Sequence, residues 1–272
     1  MSIMSRGFIE STTVGFSHAL TRAMLSEQTA RQRGLLQSLD PRVRVVGLLA
    51  LVLAVTLSRK IEAVAALFAL AILIALLSRV SLSTLAKRVW LIVLGFTGVI
   101  ALPAIFSTPG RTVASFAGLA ITEQGLRTAS LLILRVETAV TLTTLLVLCT
   151  PWAHVLKALR ALGLPKEAVT MLAMTYRYVF LFVETAVQMF ESRRSRTVGT
   201  LKPSDQRHMA ARTAGVLLSK SVALSNDVYL AMQARGFRGD VQILSNFRMT
   251  VRDCFALPAF VLAAAVVVWM GR

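Results

Sequence analysis

Apolar and polar positions alternate along this chain in long blocks rather than in short amphipathic periods. Residues 43–58 (VRVVGLLALVLAVTLS) and 61–78 (IEAVAALFALAILIALLS) are two apolar runs separated only by Arg59 and Lys60. Each approaches the ~20 residues that a helix needs to cross hydrocarbon, so the pair predicts a helical hairpin. A third run, 89–106, ends near Pro103 and Pro109, a fourth spans 128–149 before Thr150-Pro151, and a fifth covers 255–270. Five spans are expected, the first being the weakest because it is the shortest and contains Gly47.

The stretch 151–252 has a different pattern. Pro165 suits the first turn of a helix, after which Val169, Leu172, Tyr176, Phe180, Val183, Val187 and Phe190 recur at steps of three and four. They predict a helix over 165–195, ~45 Å long, whose wet face carries Lys166, Thr170, Ala173, Arg177, Glu184, Gln188 and Glu191. A loop with Gly199 and Pro203 follows. Ser204 or Asp205 then caps a second long helix, with the stripe Leu217, Ser221, Leu224, Val228 and Ala231, stopped by Gly236.

Composition changes how these blocks are read. The chain is 56% apolar and only 16% charged, against roughly a quarter charged in soluble proteins, so a bilayer is its natural solvent. The formal charge of +17 would suggest nucleic acid in a soluble protein. Here no basic stretch carries interleaved aromatics, and no nucleic-acid partner is expected. The basic residues flank the apolar runs instead and act as topology signals. Arg42 and Arg44 precede the first span, Arg79, Lys87 and Arg88 separate the second from the third, and 15 of the 30 basic residues lie within 151–252. With the N-terminus inside, all three regions are cytosolic and the C-terminus is outside, leaving Arg59, Lys60, Arg111 and Arg127 as minority charges on the far side.

The fold class expected is therefore an all-α integral membrane protein, about five transmembrane helices plus a cytosolic domain of two long amphipathic helices. Its parts are a cytosolic N-terminal amphipathic segment (1–41), spans one to four (42–150), the helix-pair domain (151–248) and a C-terminal span (249–272). Residues 1–40 lack a compact apolar core with a cleavage pattern, so no removable signal peptide is expected. Cys149 and Cys254 show no paired spacing, and neither they nor His18, His154 and His208 form a metal-ligand spacing. No metal site and no cofactor are predicted.

Each long helix ends in an arginine triplet: Ser195-Arg196-Thr197 and Ala234-Arg235-Gly236. A lone arginine in a last turn favours the negative end of the helix dipole, and a glycine after it is a common stop. Two such ends on adjacent amphipathic helices shift the balance. AMQARGFRGD (231–240), LDPRVRVVGLLAL (39–51) and LRALGLPKEAVTMLAMTYRYVFLFVET (159–185) resemble the transmembrane T components of energy-coupling factor transporters, and the CbiQ-like cobalt and nickel subgroup fits best. The resemblance covers nearly the whole chain. It implies a scaffold in the cell (inner) membrane linking two identical ATPase subunits to an integral membrane subunit that captures the substrate, a cobalt or nickel ion. It also implies that Arg196 and Arg235 dock into grooves on the ATPases. A guanidinium offers five fixed donors for that task. Thr197 stands where glycine is usual, so Arg193 or Arg194 could share the first role.

There is no GxxxxGK[ST] phosphate loop, so ATP hydrolysis falls to partners, and no HExxH, paired acidic motif or serine elbow marks an enzyme. A conventional ABC-importer permease, with one coupling helix and its own substrate path, is the nearer alternative, and a membrane enzyme the more distant one. Arg135 and Glu137, charged residues inside the fourth apolar run, are candidates for a substrate pathway. Met171, Met174 and Met189 could form an adaptable contact surface or pack a helix core. Gly95 and Gly98 would permit close helix approach, and Trp90, Trp152 and Trp269 sit at span ends.

Overall fold

A computed structural model describes residues 34–107, 112–116, 119–196, 202–237 and 251–272. The described residues form two compact units, one of those up to Ala158 together with 251–272 and the other of those from Leu159 to Phe237.

The first unit is a helical bundle. A single turn, α1 (Leu35–Ser38), leads into α2 (Pro41–Leu57) and α3 (Ile61–Leu77). A second single turn, α4 (Leu82–Leu85), passes through a π turn at Ala86–Trp90 into α5 (Leu91–Ser107). Strands β1 (Thr112–Phe116) and β2 (Leu119–Thr122) pair antiparallel before α6 (Glu123–Cys149), and α10 (Val251–Gly271) completes the unit. All five apolar runs are helical. The short hairpin is the one departure from an otherwise helical fold among the described residues; its β-branched Thr112, Val113, Ile121 and Thr122 favour extended backbone.

The chemistry of helix starts explains boundaries that the apolar runs alone misplace. The α2 helix begins at Pro41, whose fixed φ and missing N–H suit the first helical position, and Asp40 caps it by accepting the Arg42 amide at 2.9 Å. Neither Pro103 nor Pro258 ends its helix. The third run, read as 89–106, therefore agrees with α5, which passes through Pro103 and ends at Ser107.

Burial reverses the expectations about glycine. Gly47 marks the close contact of the bundle, since a Cβ there would lie 2.6 Å from the Phe260 ring. Gly95 and Gly98, expected to allow close approach, have no atom within 4 Å of such a Cβ. The core lies among α2, α3, α6 and α10, with Leu48, Leu51, Val55, Val64, Leu67, Leu142 and Leu145 buried. Around it α5 exposes Leu91, Ile92, Phe96 and Val99, and α10 exposes Phe255, Leu262 and Trp269. An apolar surface of that extent calls for a covering phase other than water.

Polar contacts fasten the bundle at its two ends. At one end the Asp40 amide donates to Asp253 Oδ1 at 2.7 Å, joining α2 to α10. Arg44, only 4% exposed, donates from Nη1 to the Cys149 carbonyl at 2.7 Å and from Nε and Nη2 to the Leu39 carbonyl at 2.8 and 2.6 Å. Its Nη2 also reaches the Gln37 carbonyl at 3.0 Å. At the other end the Arg59 amide donates to the Gly271 carbonyl at 2.9 Å and Arg135 Nη2 to the Ser58 carbonyl at 2.7 Å. Trp90, just before α5, also ties the bundle together, for its Nε1 donates to Thr141 Oγ1 at 3.1 Å.

Next in the chain, α7 (Trp152–Ala161) starts on the Pro151 carbonyl, which accepts the His154 and Val155 amides. The division between units falls after Ala158.

The second unit is built on α8 (Lys166–Ser195) and α9 (Pro203–Ala234). Pro165 stands just before the first of them rather than inside its first turn, and its carbonyl accepts the Val169 amide at 3.2 Å. Ser204 and Asp205 do not cap the second. Lys202 occupies that position without a side-chain bond, Pro203 takes the first helical place, and Asp205 lies in the first turn, where a carboxylate complements the dipole.

Candidate functional site

The arginine-tipped ends stand where the two long helices stop. Ser195 is the last residue of α8, and Arg196 follows it with its amide on the Arg193 carbonyl at 3.1 Å. Both are exposed; Thr197 lies outside the described residues. The second end is defined in more detail. Ala234 closes α9 and Arg235 caps it. Gly236 adopts φ +75°, its amide donates to the Gln233 carbonyl at 2.9 Å, and the Phe237 amide reaches back to the Met232 carbonyl at 3.0 Å. Those two bonds form a complete Schellman motif, which turns the chain off the helix axis and leaves Arg235 at the exposed corner. The left-handed residue is the reason for glycine at 236.

The two arginines cannot share one pocket. Arg196 is six residues from Lys202, a reach of at most ~21 Å, whereas α9 has 32 residues and is ~48 Å long. Arg196 and Arg235 therefore stay at least ~25 Å apart.

Along the helix pair runs an apolar cavity of about 590 Å³. Met171, Met174, Tyr178 and Phe182 line it from α8, and Leu224, Val228, Tyr229 and Met232 from α9. Met171 is 69% exposed and Tyr229 57%, so the cavity is an open groove rather than a packed core. The α9 lining shares Ser221, Leu224 and Val228 with the expected stripe, but Ser225, Tyr229 and Met232 take part in place of Leu217 and Ala231. The α8 lining is offset from the Val169, Tyr176, Phe180 row and includes Thr170, which sequence pattern places on the wet face. Val169 and Phe190 are buried and Leu172 is exposed. This helix is apolar on more than one face, and contact with α9 selects the methionine-bearing one.

Arg135 and Glu137 are not brought together. Arg135 holds the C-terminal end of α2 through Ser58. Glu137 is 5% exposed, and among the described residues neither carboxylate oxygen has a hydrogen-bond partner. Among the described residues no group of three His, Cys, Asp or Glu side chains could hold a metal ion. Sequence reasoning missed Arg44 and Asp253 altogether as fastening residues; the one available signal was the nearness of Arg44 to an Asp-Pro helix start.

These features define a class: a membrane protein whose apolar helical bundle is joined to a pair of long helices with separated, exposed arginine ends. The profile of the cobalt transport protein family, CbiQ, matches residues 32–244, and the chain belongs to that family. An uncharacterized protein of Methanocaldococcus jannaschii is 30% identical over 258 residues, covering 93% of this chain and 88% of that protein. The cobalt transport protein CbiQ of Rhodobacter capsulatus is 28% identical over 179 residues, 63% of this chain and 73% of its own length. The energy-coupling factor transporter transmembrane protein EcfT of Brevibacillus brevis is 27% identical over 251 residues, 85% of this chain and 91% of its own.

Proposed function

We propose that this protein is the energy-coupling transmembrane scaffold of an energy-coupling factor importer for cobalt or nickel, without catalytic activity of its own. Its five apolar helices cross the membrane, with the N-terminus and the helix-pair domain (151–248) in the cytosol and the C-terminus outside. Two identical ATPase subunits grip the exposed Arg196 and Arg235 ends, with the flanking Ser195, Thr197, Ala234 and Gly236 shaping those ends, and a separate membrane subunit captures the ion. The observation that carries this reading is the separation of the two arginine ends by at least ~25 Å, which suits two ATPase receptors and not one. A guanidinium fork held in an acidic groove transmits the motion of ATP hydrolysis without slipping. The methionine-lined groove supplies an adaptable apolar face for the same assembly. Arg135 serves as a fastening for α2, and Glu137, buried and without a hydrogen-bond partner among the described residues, is the remaining candidate for a passing cation.

The test is uptake of radioactive cobalt or nickel by cells expressing the chain, the ATPase and the capture subunit together and in every pairwise omission. Uptake that requires all three supports the scaffold reading. Uptake by this chain with the ATPase alone would make it a conventional permease with its own substrate path.

A further inference from the structure

We propose that the groove between α10, α3 and α1 binds one anionic phospholipid of the cytosolic leaflet, with its phosphate on Arg252 and an acyl chain along Ala256, Ala259 and Ala263. The cavity there measures about 570 Å³, and its walls are Leu35, Leu39, Leu70, Ile74 and Phe260 beside those alanines. Among the described residues Arg252 makes no hydrogen bond or ion pair, and it is exposed at the mouth of the groove. The neighbouring Asp253 does not compete for the site. It is buried, and its carboxylate takes the Asp40 amide at 2.7 Å on the bundle side of α10.

The dimensions fit one leaflet. From Arg252 to Ala263 is eleven residues of α10, or ~16 Å, about half of a ~30 Å hydrocarbon core. The groove mouth lies at the end where α1 meets Ser78, the Leu36 amide donating to Ser78 Oγ at 3.4 Å. In the orientation proposed above, on which this inference rests, that end faces the anionic cytosolic leaflet, where each basic residue contributes ~1 kcal/mol of attraction. A second apolar groove, along α2 and α10, ends at Arg272 on the opposite side, away from that leaflet. Small residues at 256, 259 and 263 leave a channel where larger side chains would fill it, and the exposed Arg252 guanidinium supplies the charge that selects the headgroup.

Native mass spectrometry of the full chain in neutral detergent, titrated with palmitoyl-oleoyl phosphatidylglycerol and then with the matching phosphatidylcholine, tests this without reference to orientation in cells. Phosphatidylglycerol should bind about fivefold more tightly. Arg252→Gln should remove the preference, Arg252→Lys should keep most of it, and Ala259→Phe should weaken both lipids by filling the channel. Arg272→Gln should change nothing. Equal binding of the two lipids by the unaltered chain, or an unchanged preference in Arg252→Gln, would overturn the proposal. So would displacement of the phosphatidylglycerol on assembly with the capture subunit, combined with weakened assembly of Ala259→Phe, because the groove would then be a protein interface.

Discussion

Replacing Arg44 with alanine should unsettle the bundle more than any other single arginine change in that unit. The guanidinium serves three carbonyls, those of Leu39, Cys149 and Gln37, from a side chain that is almost fully buried. Removing it leaves the Leu39 and Cys149 carbonyls unpaired in a buried setting, at ~1–3 kcal/mol each, and the half-buried Gln37 carbonyl adds less. The expected total is about 4 kcal/mol, among the larger effects seen for single substitutions. Arg135→Ala breaks one half-buried bond, to Ser58, and should cost about 1–2 kcal/mol. At ~2–4 °C per kcal/mol for a chain of this size, Arg44→Ala should lower the unfolding midpoint in detergent by roughly 10 °C and Arg135→Ala by about half that or less. Arg44→Lys should rescue little, since one ammonium cannot span carbonyls on separate segments. An Arg44→Ala midpoint no lower than that of Arg135→Ala would refute the assignment of Arg44 as the fastening between α2 and α6.

Gly236→Ala should fray the end of α9 at a cost of ~1 kcal/mol, because a Cβ is disfavoured at a left-handed φ; hydrogen exchange slowed less at Ala234 and Arg235 than in the unaltered chain would show it. In a chain freed of Cys149 and Cys254, a cysteine replacing exposed Lys220 should resist an impermeant maleimide applied outside intact cells, while one replacing Lys60 should react; the reverse pattern would invert the proposed topology. Calorimetry on the purified chain should detect neither ATP hydrolysis nor cobalt or nickel binding tighter than micromolar, and such binding would move the ion site into this subunit.

The five bundle helices and the long pair were legible from apolar run length and three-four periodicity. The Arg235-Gly236 end was legible too, because glycine after a helix has a local cause. What was hidden depends on contacts distant in sequence. Arg44 reads as a flanking topology charge until α6 brings the Cys149 carbonyl, 105 residues on, against it. Gly47 looked like a weakness of its span because the Phe260 ring that fills the space lies on α10. On α8, several faces are apolar over 30 residues, so periodicity could not choose the one that α9 covers.

The central claim is that Arg196 and Arg235 hold the ATPases, and recovery of tagged ATPase with the chain carrying both Arg196→Ala and Arg235→Ala, at matched expression, tests it most directly. Each charge-assisted contact is worth ~1.5–3 kcal/mol, so each single change should weaken association about tenfold or more. The double change should abolish it while the bundle keeps its unfolding midpoint, and Arg193→Ala with Arg194→Ala should matter less. Undiminished ATPase recovery with the double variant would contradict the account.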